Sequence, residues 1–538
     1  MKKNKNFYLK ILLNLFFCLI ISSGLLAQQI ILPGDWLTFN RTYNGDRYSP
    51  LKQITPANVS KLHLLNTFDL GKDVCSLETG PLVVDGVMYF TSDTVTYAIN
   101  AATGLLKWKR IRPVKIPNGY GANRGVAYFE GKLFRGSSDA HVFALNSSDG
   151  KIIWDVPIAE AGLPGVTIPM APIAWNGLLF VGHAGGENST VTGHIYALDV
   201  NDGHVVWKFN VVPDSGSVRE TWPNGIQISG GTFWTSFTLD TEHGVLYAPC
   251  SNTPPDFDMG ERKGMKLYTN CVLALDIKTG KLLGYIQLVK RDFHDWEVSS
   301  APVLITTKTG RSIFASSNKD GLLSLVDRSA LNNVGAVNPS TALRFMYAVP
   351  TTIRENMDIP FSSEQITHFK PGFLGGTEWN GAAYDSTLDL IFTGTDDWGS
   401  SGKIRLLDSA RITPSGGKKW MGGILNIDSA SKARGWVTAF NIKDGSVRWK
   451  FKAPAPVLGG VTPTAGGLVF TSSLNGNVYG FNSRTGVVVW KTNTQLTNGG
   501  GVISYSVNGK QYIAVAAGIK SKLWPNPSKA CRILIYGL

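Results

Sequence analysis

The chain has 538 residues but only five cysteines, and none of them stands in a Cys-x-x-Cys-His arrangement. Covalent attachment of a c-type haem is thereby excluded. No Gly-x-Ser-x-Gly elbow, no P-loop and no His-Glu-x-x-His pair occurs, so the usual signatures of hydrolases, nucleotide-driven enzymes and zinc proteases are missing. Charged residues make up only 17% of the chain, and the basic ones are dispersed, with no more than two adjacent. A nucleic-acid surface needs clustered basic residues, and the net charge of +13 reads instead as a solvated surface. No window keeps a sustained 3.6-residue apolar period, which argues against long helices. Beyond the first residues no apolar run approaches the roughly 20 needed to cross a membrane.

The N-terminus has the form of an export signal: Lys2, Lys3, Lys5 and Lys10 precede an apolar stretch, then Ser22, Ser23, Gly24 and a cleavage residue at Ala27. Residues 1–27 are therefore expected to be a signal peptide directing the protein to the periplasm, with 28–538 as one domain. Cys75, Cys250, Cys271 and Cys531 follow the leader; they allow three pairings, and the sequence does not choose among them. Cys250 and Cys271, at the facing ends of two strand-like runs, are one candidate bridge.

What is abundant is glycine, at 59 residues, and tryptophan, at 15. A single core stops growing near roughly 250–300 residues, whereas repeats escape that limit by burying each unit against its neighbours. A repeat is present. A strand ending in Ala-Leu-Asp or similar, a turn with glycine, and a tryptophan a few residues on recur at 97–108, 144–154, 197–207, 439–449 and 480–490. A sixth copy, 274–284, ends in Gly284 instead of tryptophan. Upstream of most copies lies a second hairpin, around Asp85-Gly86, Glu130-Gly131 and Asn176-Gly177. Such pairs supply the positive φ that a tight hairpin turn requires. Two hairpins make the four antiparallel strands of one propeller blade, of roughly 40–50 residues. Blade-like runs without the terminal tryptophan lie at 300–329 and 499–538. The expected fold is all-β, an eight-bladed β-propeller with four-stranded antiparallel blades. Trp108, Trp154, Trp207, Trp449 and Trp490 are read as packing residues between blades, not ligand contacts.

The repeat and the residues around it resemble the quinoprotein alcohol dehydrogenases, propeller enzymes that bind pyrroloquinoline quinone, here without a haem domain. The resemblance runs from about Gly34 to the C-terminus. It implies a cofactor site made by Glu78, which precedes Thr79-Gly80-Pro81, by Arg124 in Asn123-Arg124-Gly125, and by Thr232 and Trp234 in Gly230-Gly231-Thr232-Phe233-Trp234. Lys319 in Asn318-Lys319-Asp320-Gly321 and Glu378 beside Trp379 and Asn380 complete that site. Trp234, off the repeat register, corresponds to the indole floor under the quinone. The resemblance further implies a metal held by Glu187, Asn252, Asp295 and Glu297, an oxygen-rich set that suits Ca²⁺ or a lanthanide ion better than zinc. Asp295, in His294-Asp295-Trp296-Glu297, corresponds to the general base, and strand-like alternation would put it on the same face as Glu297.

The activity so implied is oxidation of an alcohol, polyol or sugar, in which Asp295 removes the hydroxyl proton and hydride passes to the quinone. Electrons would then leave to a separate acceptor such as a cytochrome c or a quinone. The chain departs from the family in four places. No cysteine pair precedes Arg124, where the stretch ends Gly119-Tyr120-Gly121-Ala122 and Tyr120 is the expected substitute lid. Pro169 stands where threonine is expected, Leu458 where tryptophan is common, and Glu297 where a shorter residue is usual. These departures, with the repeat shared by outer-membrane assembly factors, frame the alternative of a non-catalytic scaffold with a degenerate quinone site.

Overall fold

Eight four-stranded antiparallel sheets dominate the fold, in a computed structural model that describes residues 31–71, 76–114, 122–187, 191–223, 228–258, 264–405, 411–412, 418–419, 421–520, 524–525 and 530–538. The first blade shows the local logic. Its strands are Leu82–Val84, Val87–Thr91, Val95–Asn100 and Leu106–Ile111. Asp85 and Gly86 both have positive φ, at 49° and 74°, which is the turn that matches the twist of the strands on either side. Glu130-Gly131 and Asn176-Gly177 repeat it in the next two blades. The middle strands of each blade are buried, while the outermost alternates exposed and covered positions around its tryptophan, as in Leu106–Ile111.

The repeated tryptophan is a latch between blades. Trp108 Nε1 donates to the Ser147 carbonyl of the following blade at 2.9 Å, Trp154 to Val200 at 3.2 Å, Trp207 to Ile277 at 2.9 Å and Trp449 to Ser483 at 2.9 Å. In each case the turn glycine of the following blade lies against the indole face. A Cβ added at Gly203 would stand 2.8 Å from the Trp154 ring, and its φ is +80°. Gly203→Ala is therefore expected to destabilise the protein by about 1–3 kcal/mol, read as a lowered denaturation midpoint. Gly177→Ala, with the same positive φ but open space around it, separates backbone strain from the loss of ring packing: it should cost distinctly less.

Three blades lack the tryptophan, and two of them show how the contact is replaced. Gly284 is covered by Ala342 and Leu343. In the blade Val303–Thr306, Ser312–Ser317, Leu322–Asp327 and Arg344–Pro350, Tyr347 pairs with Leu325 in the register where Trp108 pairs with Ala98. Its hydroxyl donates to the Ile442 carbonyl at 2.7 Å, the same contact made by a phenol. The last sheet takes Asn498–Val507, Lys510–Ala517 and Arg532–Gly537 from the end of the chain and His63–Asp69 from its beginning. Joining the two ends of the chain in one antiparallel sheet closes the ring and leaves Arg532–Gly537 paired on both sides.

The sixth blade carries a long insertion between Leu390–Asp397 and Arg434–Asn441. Its strands Ser400–Ile404 and Gly423–Ile427 form a three-stranded sheet with Thr367–Phe369, which precedes the blade, and Arg411–Ile412 and Lys418–Lys419 make a short hairpin. Cys250 and Cys271 are not bridged. Both are buried reduced thiols whose pKa burial raises, with Cys250 Sγ on the Gly231 carbonyl at 3.2 Å and Cys271 Sγ on the Thr269 carbonyl at 3.4 Å. Neighbouring strands bring them together in the ladder, and each thiol is satisfied by a backbone acceptor instead. Residues 1–27 and Cys75 lie outside the described residues.

Candidate active site

The site is assembled from the loops that join one blade to the next. Arg124 follows the first blade and Glu78 precedes it. Arg124 Nη2 lies 2.9 Å from Glu78 Oε2, and Nη1 donates to the Trp234 carbonyl at 3.0 Å. The guanidinium carbon stands 4.9 Å from the Trp234 ring and 4.7 Å from the Trp379 ring. This clamp of two indoles holds a planar cation that lysine could not imitate. Trp379 is itself fixed, its Nε1 donating to the Gly499 carbonyl at 3.2 Å.

Lys319 approaches Trp234 as well, its Nζ 5.5 Å from the ring. It bonds Glu297 Oε2 at 2.9 Å and lies 3.9 Å from Asp295 Oδ2. Burial alone would lower the pKa of this ammonium, but Glu297, Asp295 and Glu378 together outweigh it and hold the pKa well above the usual lysine range. Lys319 is a fixed positive charge. Trp234 thus has two cations near its ring, Arg124 and Lys319, and makes no blade latch.

Asp295 does not lie on a strand. It sits in a turn with φ of 65°, because Asp292 Oδ1 accepts the backbone N–H groups of His294 and Trp296 at 2.8 and 3.0 Å. The expected strand alternation is therefore corrected. Lys319, not a pleat, gathers Asp295 and Glu297. Asn252 completes the group: its Nδ2 donates to Asp256 at 3.0 Å, Asp295 at 3.3 Å and Asp292 at 3.5 Å. With the amide nitrogen so engaged, its carbonyl oxygen is the atom left for other ligands. Burial pushes the Asp295 carboxyl well up, against the pull of Lys319 and with the push of Asp256, Glu297 and Glu187.

Glu187 thus reaches Asp295 electrostatically from the third blade's loop. Thr232 lies between that loop and Asn252, with its Oγ1 3.1 Å from Ser251 Oγ and 3.0 Å from where a Cβ on Gly186 would stand. Glu378 lies within electrostatic reach of Lys319, Glu297, Arg124 and Glu78. All ten positions implied by the resemblance belong to this one region. The carboxylate of Glu297, expected among the metal ligands, lies 2.9 Å from Lys319 Nζ. Tyr120 lies outside the described residues. Sequence reading missed Asp256 and Asp292, both buried; the signal for Asp292 was its spacing to Asp295, while Asp256 after Pro254-Pro255 looked like an ordinary turn residue.

The residues fit a cation and an anionic planar ligand. Buried carboxylates surround Asn252 in excess of the single ammonium of Lys319, and oxygen donors of this kind suit a hard ion. A cation there would reverse the upward push on Asp295. Arg124 Nε is buried without an acceptor and Asn380 Oδ1 without a donor, so polar groups beside the two indoles have hydrogen-bonding capacity left over.

The comparisons agree with this geometry. The family model described as glucose/ethanol/alcohol dehydrogenase, β-propeller domain, matches residues 36–338. A second model, of the outer membrane protein assembly factor BamB, matches 433–526, a stretch containing none of the site residues implied by the resemblance. The dehydrogenase subunit of a quinone alcohol dehydrogenase from Gluconacetobacter polyoxogenes is 28% identical, over 90% of this chain and 72% of the relative. The quinohemoprotein alcohol dehydrogenase ADHIIG of Pseudomonas putida superposes with a TM-score of 0.82 at 24% identity, covering 94% of this chain and 80% of that one. A europium-containing methanol dehydrogenase gives 0.80 at 23% identity, over 94% and 98%.

Proposed function

The chain belongs to the β-propeller family of glucose, ethanol and alcohol dehydrogenases, and on that premise we propose that it is an exported enzyme oxidising an alcohol, polyol or sugar hydroxyl at the Asp295 site. It is a pyrroloquinoline quinone-dependent dehydrogenase acting on CH–OH donors. The observation that carries the site assignment is the meeting of Asp295, Asn252 and Lys319 beside an indole with two cations near its ring.

Glu78, Arg124, Trp234, Lys319 and Glu378 would hold the quinone, with Thr232 behind them. Glu187, Asn252 and Asp295 would hold the cation, Ca²⁺ or a lanthanide. When bound, the quinone supplies the two-electron oxidation as hydride acceptor and the cation supplies Lewis acidity. Asp295 takes the hydroxyl proton on its carboxylate. Glu297 keeps Lys319 charged and in place, and Arg124, clamped between two indoles, presents a cation that needs no reorganisation. Electrons leave to a separate acceptor such as a cytochrome c or a quinone, and an exported chain places that exchange in the periplasm.

The test is titration of metal-stripped protein with pyrroloquinoline quinone, with and without Ca²⁺ or a lanthanide, following tryptophan fluorescence. Saturable, metal-dependent quenching is expected, followed by turnover in a dye-linked screen of alcohols and sugars. Absence of quenching with either ion would return the protein to the scaffold reading.

A pH dependence follows from Glu378. Burial raises its pKa to about 7, against Lys319 and Arg124 and with Glu297 and Glu78. The neutral form is thus favoured in the folded protein, and ionisation as pH rises through about 7 adds negative charge beside an acidic ligand. Quinone affinity is expected to fall by up to about tenfold, ~1.4 kcal/mol, between pH 6 and 8.5. Glu378→Gln should bind with a flatter profile. A wild-type profile as flat as that of the variant would remove Glu378 from the site.

A further inference from the structure

Away from the quinone site, three side chains from two blades converge with no role in the chemistry above. Glu160 follows Ile152–Pro157, the outer strand of the second blade; His183 follows Leu178–Gly182 and His194 opens His194–Asp199, both in the third. We propose that Glu160, His183 and His194 form a second metal site, for Zn²⁺ or a similar borderline transition-metal ion, that ties the second blade to the third.

The geometry is that of a ligand set around a small ion. His194 Nδ1 lies 2.9 Å from Glu160 Oε1, His183 Nε2 lies 3.5 Å from His194 Nδ1, and His183 Nε2 lies 3.9 Å from Glu160 Oε2. Ligands about 2.0–2.1 Å from a tetrahedral Zn²⁺ are separated by about 3.3 Å, and the three edges bracket that value. Two imidazoles and one carboxylate are a donor set zinc takes readily, with a water in the fourth position. This set differs in kind from the oxygen donors around Asn252, so the two sites should select different ions.

The outer contacts are those a metal site needs. His183 Nδ1 lies 3.2 Å from the Ala184 carbonyl. Donation there places the ring proton on Nδ1 and leaves the Nε2 lone pair facing the cluster. Tyr196 donates its hydroxyl to Glu160 Oε2 at 2.6 Å, orienting the carboxylate as such partners do. His183 is fully buried and Glu160 nearly so, while the His194 side chain is 13% exposed, which gives an ion and its water a way in. The His183 carbonyl also accepts the Phe233 N–H at 2.7 Å; Phe233 immediately precedes Trp234, and His183 lies four residues before Glu187 in the sequence. An ion here would stiffen both loops without entering the reaction.

The test uses chelator-treated full-length protein without quinone, titrated with Co²⁺. One equivalent is expected to give the visible absorption of low-coordinate Co²⁺, displaced by Zn²⁺ and not by Ca²⁺, with a rise in melting temperature. His194→Gln and Glu160→Gln should each weaken Co²⁺ binding by more than about 100-fold, beyond the effect of losing an outer partner; Tyr196→Phe, which keeps the ligands and the packing, should weaken it by about 10- to 100-fold. Glu187→Ala should leave the Co²⁺ spectrum intact, which separates this site from the catalytic one. The proposal is overturned if wild type gives no such spectrum, if folded His194→Gln binds Co²⁺ as wild type does, or if Glu187→Ala abolishes it.

Discussion

Asp295→Asn is expected to lower turnover by about 10²–10⁴-fold, roughly 3–5 kcal/mol of transition-state stabilisation, while quinone binding stays within a fewfold of wild type. The substitution removes the atom that takes the proton and leaves a neutral, weaker oxygen toward the cation, so turnover is read at saturating Ca²⁺ or lanthanide. Asparagine keeps the shape, and it is among the residues that tolerate positive φ, so the 65° at this position is no obstacle to folding. Burial and the surrounding carboxylates already push Asp295 toward the protonated form, and a cation bound beside it lowers that barrier to ionisation. Two measurements are needed: the rate with saturating dye and alcohol, and the quinone dissociation constant from tryptophan quenching. If turnover fell less than tenfold, Asp295 would not be the base; Glu297, on the other side of Lys319, would be tested next.

The second large effect is expected from Glu187→Ala. Loss of this carboxylate should abolish tight Ca²⁺ or lanthanide binding and lower turnover by at least about 10³-fold, since a Lewis acid at the reacting carbonyl supplies several kcal/mol. Metal content after dialysis and turnover across a range of added ion distinguish weakened affinity from lost chemistry. Asn252→Ala should show the same metal loss together with lower stability, because it strips Asp256, Asp292 and Asp295 of a shared donor in a buried place. Metal retained at wild-type affinity in Glu187→Ala would show that the carboxylates around Asn252 hold the ion without the third blade. Glu297→Gln makes a useful contrast, since its carboxylate lies on Lys319 and its loss should disturb the cation more than the metal.

Much of the fold is visible in the chain before any coordinates. A blade is local: Asp85-Gly86 turns because of its own backbone preferences, and Trp108 recurs as Trp154 because each blade must fill the same wedge against its neighbour. The resemblance named the candidate site side chains because their flanking residues are also local. What was misjudged was non-local or locally ambiguous. Tyr347 carries no repeat signature, and only its register opposite Leu325 reveals it as a latch. The segment around Asp295 reads as strand by alternation, yet the Asp292 side chain captures its N–H groups and bends it into a turn.

The sequence by itself determined the blades, their hairpin turns and the kinds of residues at the quinone site, because those depend on φ preferences, side-chain periodicity and motifs within a few tens of residues. Only the tertiary structure decided which charges meet. Arg124 lies between Trp234 and Trp379, Glu297 pairs with Lys319, Asn252 gathers three aspartates, and Glu160 joins two histidines of the next blade. Such partners are separated along the chain and become neighbours only when blades pack around a ring and His63–Asp69 closes it against the C-terminal strand. Electrostatic energy depends on distance and burial, and neither quantity exists until that ring has formed.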